Sequence, residues 1–231
     1  MGKEGKLVEA LKKSIFEDTM EIGSNFLELP IDCLIQNDMF RNIPIVNTIY
    51  GLGKTAINVR DIYLIKKTLV FIEKLNQNKL SREKISNHQA KLEVDQKRLN
   101  KELEYVMLML ERMNEVQKSV IMSNMYLKYM DDNIEFDWKD FCILIDILER
   151  FSIYDSSSLL KIYNKQSIGV KDEFNKLGFS RLSSLGLIDY LGGMKIMLPS
   201  GEEFIAKISP LGSFFVEQGF MGLDGNWLQF S

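Results

Sequence analysis

Leu182-Ser183-Ser184-Leu185-Gly186-Leu187-Ile188 decides how this chain is read, because the hydrophobic period changes inside it. Upstream, apolar residues recur at three-to-four spacing, the mark of helices; downstream they fall into short runs bounded by turn residues. Ile188 to Leu191, Met194 to Leu198 and Phe204 to Ile208 read as short strands, divided by Gly192-Gly193 and by Pro199-Ser200-Gly201. Pro210 then restarts a helix through Phe214, Phe215 and Val216 that is predicted to end at Gly219, since proline suits a first helical turn.

Working back from that stretch, helices are predicted near Ser156 to Asn164 and near Lys171 to Leu185. Asp137 stands directly before Trp138 with Asp140 three residues on, a capping arrangement, and Phe141, Leu144, Ile145 and Leu148 mark one helical face. The acidic stretch Asp131-Asp132-Asn133 is the expected boundary. It gives a helical region over 1–131, a second module over 132–220 and a tail over 221–231.

The front half reads as helix after helix. Leu7, Val8, Leu11, Ile15 and Ile22 form one stripe between Lys6 and Ile22; Pro30 opens a helix to about Phe40, and Pro44 begins a third. Gly51 and Gly53 predict a break. The helix that follows, with Ile57, Ile62, Leu64, Ile65, Leu69, Phe71, Ile72 and Leu75 on more than one face, is the predicted centre of the core. After a polar interval in which Ser81 is a candidate cap, Ile85, Leu92, Leu99, Val106 and Met113 fall seven apart while their companions His88, Asp95 and Glu102 are polar. Half a coiled-coil pattern of this kind predicts one helix packed loosely at its start and firmly at its end. A further helix spans about Asn114 to Met130.

Three helices, a β-hairpin and a closing helix over about Phe136 to Gly219 resemble the winged-helix arrangement. Leu182 to Ile188 looks like the end of its third helix, and Ile208-Ser209-Pro210-Leu211-Gly212 like the return from the wing. The fold implied is mainly α: an N-terminal helical bundle with long antiparallel helices, followed by a winged-helix-like α+β module with a small β-hairpin. The whole layout also resembles bacterial proteins linked with abortive infection, which implies a setting in defence against phage.

Bulk properties narrow the function. A net charge of −3 and a pI near 5.4 supply no general attraction to phosphate backbones or anionic lipid. Cys33 and Cys142, 109 positions apart, suit a reducing compartment, so a cytoplasmic location is expected. The start of the sequence carries no signal-peptide run, and Lys6 stands where myristoylation wants Ser or Thr. The longest uncharged stretch, Asn42 to Gly53, is twelve residues against the roughly 20 of a bilayer crossing.

Each chemical motif meets a plainer reading. Gly53-Lys54-Thr55 evokes a phosphate-binding loop, but Thr48 stands where that loop needs glycine. Asp131, Asp132, Asn133, Glu135 and Asp137 are rich in oxygen ligands, yet an EF-hand register puts Phe136 at the required glycine and Cys142 at the bidentate glutamate. His88, the one histidine, lies among polar residues and is expected at the surface, so no catalytic, metal or cofactor site is assigned. Met107, Met109, Met113, Met122, Met125 and Met130 continue apolar stripes and are expected to fill the core, an adaptable docking groove being the alternative.

The predicted third helix of the module carries Lys171, Lys176 and Arg181 against Asp172 and Glu173, and Trp138 to Gly219 holds nine basic against ten acidic residues. A helix that reads DNA concentrates cations on its groove face. The leading expectation is therefore a non-enzymatic interaction or regulatory protein with a protein partner or self-association. One rival is a DNA-binding regulator using Lys176, Arg181 and the wing residue Lys195. The other is a membrane-associating effector that exposes residues 44–71 after a conformational change.

Overall fold

Prolines and polar caps punctuate the chain into short helices, and a computed structural model shows where each one lies. It describes residues 2–16, 25–36, 38–52, 58–76, 79–92, 95–131, 135–165, 167–168, 176–190, 196–197, 203–204, 206–220 and 222–223. The protein is mainly helical with small antiparallel sheets. Two compact units divide it, Met1–Phe141 and Cys142–Gln229.

The first unit contains α1 (Lys3–Phe16), α2 (Ile31–Gln36), a 3-10 turn (Asp38–Asn42), α3 (Pro44–Leu52), α4 (Val59–Leu75), α5 (Lys79–Leu92), α6 (Gln96–Arg112) and α7 (Gln117–Tyr129). α4 starts sharply because the Asn58 side chain accepts the Asp61 N–H at 2.9 Å while the Asp61 carboxylate accepts the N–H of Asn58. Its buried residues include Ile62, Leu64, Ile65, Leu69, Phe71 and Leu75, so it occupies the core that its many-faced apolar pattern predicted. Lys66 and Glu73, seven apart on one row of α4, reach the preceding segment: Lys66 Nζ donates to the Leu29 carbonyl at 2.8 Å and Glu73 accepts the Phe26 N–H at 3.1 Å. α3 is held from a distance. Ser14 of α1 accepts the Ile45 N–H at 3.1 Å, satisfying a donor in the first turn that has no partner within the helix.

Two helical expectations are corrected. The helix expected from Ile31 to Phe40 ends at Gln36 and gives way to the 3-10 turn beginning at Asp38, a residue type that favours turns over helix interiors. The seven-residue repeat from Ile85 to Met113 is not one helix but two, because Asp95 accepts the Arg98 N–H at 3.1 Å and caps a new start. The six methionines are all buried and fill the interior. In residues 44–71 the apolar side chains Ile45, Val46, Ile49, Leu64 and Phe71 are likewise buried, and among the described residues no helix is long and apolar enough to cross a membrane. Residues 53–57, with the glycine-lysine motif and the expected break, lie outside the described residues.

α8 (Trp138–Arg150) begins at the predicted cap, Asp137 accepting the Asp140 N–H at 2.9 Å and Asp140 accepting that of Asp137 at 3.3 Å. The second unit, which takes in α8 from Cys142 onward, continues with a 3-10 turn (Ile153–Asp155), α9 (Ser156–Lys165), β1 (Ser167–Ile168), α10 (Lys176–Ser184), β2 (Ile188–Tyr190), β3 (Ile196–Met197), β4 (Glu203–Phe204), β5 (Ala206–Ile208) and α11 (Pro210–Gly219). β5 lies between β1 and β2, antiparallel to both, with Ile188 opposite Ile208 and Asp189 opposite Lys207; β3 pairs with β4. β1 was not expected from the sequence, since two residues are too few to show alternation. Residues 169–175, 191–195 and 198–202 lie outside the described residues, and with them the start of the predicted third helix and the Pro199-Ser200-Gly201 turn.

One serine joins strand, turn and helix here. The Ser209 hydroxyl donates to the Gly186 carbonyl at 2.6 Å and accepts the Gly212 N–H at 2.8 Å, while the Ser209 N–H donates to the Leu187 carbonyl at 3.1 Å. Gly186 itself has φ of 74°, the left-handed region that glycine enters without penalty. The knot is so tight that a Cβ on Gly212 would stand 1.9 Å from the Leu187 carbonyl oxygen, a backbone atom. Gly212→Ala is therefore expected to lower stability by about 3 kcal/mol or to prevent folding of the second unit. Urea denaturation of the variant checks this, and a midpoint equal to that of the parent would show that the approach is looser than described.

Candidate functional site

Glu102 is the centre of a buried polar cluster in the first unit. It lies on α6 between Leu99 and Val106, both buried, and is itself 3% exposed. A carboxylate in such a position needs donors, because burial without them costs several kcal/mol. It has three. His88 Nε2 of α5 lies 2.8 Å from Oε1, the Tyr126 hydroxyl of α7 donates to the same oxygen at 2.7 Å, and the Tyr129 hydroxyl donates to Oε2 at 2.9 Å. Because the carboxylate can only accept, the His88 Nε2 carries the proton.

This corrects the expected surface position of His88, which is 8% exposed. Its fourteen-residue separation from Glu102 would span about 21 Å along a continuous helix. The 2.8 Å contact is possible because the chain folds back between α5 and α6. The rings of Tyr126, Tyr129, Trp138 and Phe141 pack around the cluster, Trp138 stacking on Phe141 at 5.2 Å between centroids and Tyr129 lying 5.3 Å from Trp138. Burial, followed by the Glu102 charge and its hydrogen bonds, raises both tyrosine hydroxyls far above their ordinary value, with Arg98 opposing the rise at Tyr129.

The carboxylate also lies at the side of a cleft of about 370 Å³ lined by Asp95, Lys97, Arg98, Lys101, Glu102 and Trp138. Lys97, Arg98 and Lys101 sit in the first turns of α6, where the helix dipole is positive. Three of the roughly four acceptor positions of Glu102 are occupied, so its chemistry is that of an organiser holding α5, α6 and α7 together. Sequence reading missed Glu102, Tyr126, Tyr129, Arg98 and Trp138 as a group. The available signal was the pair His88 and Glu102 at core positions of an otherwise apolar repeat, together with Tyr126 and Tyr129 on one helical face.

A second buried charge lies at the other end of α6. Lys67 Nζ donates to the carbonyls of Glu111 and Met113 at 3.1 and 2.6 Å, serving acceptors that the helix end leaves unpaired. Burial lowers its ammonium to about 8, opposed by Glu111 and reinforced by Arg60 and Lys118.

Of the three nucleic-acid candidates, two lie on α10. Lys176 opens α10, and Lys195 lies outside the described residues. Arg181 forks onto the buried Asp155, Nε at 2.7 Å from Oδ2 and Nη2 on Oδ1. In the acidic run, Asp131 pairs with Lys84 at 2.7 Å and Asp137 caps α8, while 132–134 lie outside the described residues; among those described, no group of three or more potential metal ligands occurs. Comparison with protein-family models, curated proteins and solved structures finds no match to this chain.

Two outcomes are expected. Glu102→Gln keeps the shape but cannot accept from all three donors, and should cost about 2 kcal/mol in urea denaturation; a neutral effect would show that the donors find other partners. For Lys67, the unfolded chain still holds a proton between pH 8 and the amine's ordinary 10.5 that the folded chain has released. Stability should thus rise with pH across that window and be flat for this group below it. Lys67→Met should reduce the slope measured between pH 8 and 10.

Proposed function

We propose that this is a non-enzymatic interaction or regulatory protein whose residues 132–220 form a winged-helix-like module that contacts another protein through α10. The order of elements supports this reading: α9, α10, a β-ribbon and the closing helix α11 follow one another as that arrangement requires. The observation that carries it is the outward face of α10. Leu177, Ser180, Arg181 and Ser184 fall at helical spacing and are exposed, Leu177 at 72%. A groove-reading helix presents cations and amides at such positions. Here the cation Arg181 is bound to Asp155, and an exposed leucine stands where a phosphate contact would be wanted. An exposed apolar residue beside small hydroxyls suits a protein surface better. The resemblance to abortive-infection proteins makes phage defence the setting of this proposal.

Mixed-sequence DNA duplexes at about 50 mM salt should show no retardation in gel-shift measurements. In cells, a benzophenone side chain at position 177 should give a covalent protein adduct under illumination. Salt-dependent retardation lost in Lys176→Ala and Lys195→Ala, with no adduct at 177, would establish the DNA-binding rival instead.

A further inference from the structure

The cleft at the start of α6 combines two kinds of recognition in one place. Lys97 and Lys101, four residues apart on one helical face, are exposed, and among the described residues neither forms an ion pair with a carboxylate. Arg98 adds a planar guanidinium beside them, and the positive end of α6 favours negative charge at the same spot. Trp138, one of two tryptophans in the chain, is partly exposed, lines the cleft and is backed by Phe141. Asp95 and Glu102 add acceptors. The Glu102 carboxylate, buried and held by His88, Tyr126 and Tyr129, fixes the wall of α6 on which the three cations stand.

Those features define the ligand by chemistry. Three cations call for a phosphate or similar anion, and a tryptophan face favours a flat ring. Two carboxylates would repel a simple polyanion but accept from the N–H or hydroxyl donors of a base and sugar. A volume of about 370 Å³ is in the range of small-molecule sites.

We propose that this cleft binds a nucleotide, its phosphate against Lys97, Arg98 and Lys101 and its base against Trp138. The site lies in the first unit, and its ligand would make the protein responsive to a small molecule, which goes beyond the contact role assigned to α10 and stands or falls independently of it.

The test uses the full chain carrying Trp227→Phe, which leaves Trp138 as the single tryptophan and its fluorescence as the reporter. Nucleoside 5′-monophosphates and 5′-triphosphates of the four common bases are titrated, with inorganic phosphate, pyrophosphate and the unphosphorylated nucleosides as comparisons. At least one nucleotide should quench Trp138 saturably with submillimolar affinity, and phosphate, pyrophosphate and nucleosides should each bind at least about tenfold more weakly. Lys97→Ala and Lys101→Ala, at exposed positions that leave the melting temperature unchanged, should each weaken binding about tenfold, the loss of one charge-assisted hydrogen bond. Absence of saturable binding by every nucleotide overturns the proposal. So does binding indifferent to both lysines, or pyrophosphate binding as tightly as any nucleotide, which would leave the ring without a role.

Discussion

A carboxylate removed from water must be surrounded by donors, and in this protein the donors of Glu102 come from two other helices. His88 is carried by α5, and Tyr126 and Tyr129 by α7. Each hydrogen bond is directional, so together they restrict how α5 and α7 slide and rotate against α6, which apolar packing alone does loosely. The ring cluster of Tyr126, Tyr129, Trp138 and Phe141 closes around the same point. The cost of breaking this arrangement is set by an unpaired buried charge, not by the loss of a few contacts.

The second unit solves a similar problem with backbone groups. Gly186, Leu187, Ser209 and Gly212 exchange hydrogen bonds where strands β2 and β5 meet α11, and a glycine is required because no side-chain carbon fits beside the Leu187 carbonyl. Asp155 is buried at the end of a 3-10 turn and is served by Arg181 from α10. That ion pair ties Arg181, a cation on the outward face of α10, to the interior of its unit.

Much of this was legible in the sequence. Pro44 and Pro210 mark true helix starts, Asp137 and Asp140 form the box their spacing implied, and the all-round apolar pattern of α4 marks the centre of its unit. The short strands after Ile188 follow from turn residues and the change of period, except that Phe204 to Ile208, expected as one strand, is shared between β4 and β5 in different sheets. What escaped reading depends on distance. A seven-residue repeat persists through Leu92 and Leu99 although α5 ends at Leu92 and α6 starts anew at Gln96. His88 sits among polar neighbours in sequence, and it meets Glu102 only because the two stand on separate helices. Asp95, the polar companion between them, caps the second of these.

The link between Ser14 and Ile45 bears on the order in which the first unit assembles. A helix normally carries its own N-terminal acceptor, as α4 does with Asn58, and so can form from local sequence. α3 borrows one from α1 across a separation of 31 residues. Its first turn is complete only once that loop has closed, and loop closure has an entropic cost that local helix formation avoids. The first turn of α3 consequently depends on the docking of α1, whereas that of α4 is complete from its own sequence.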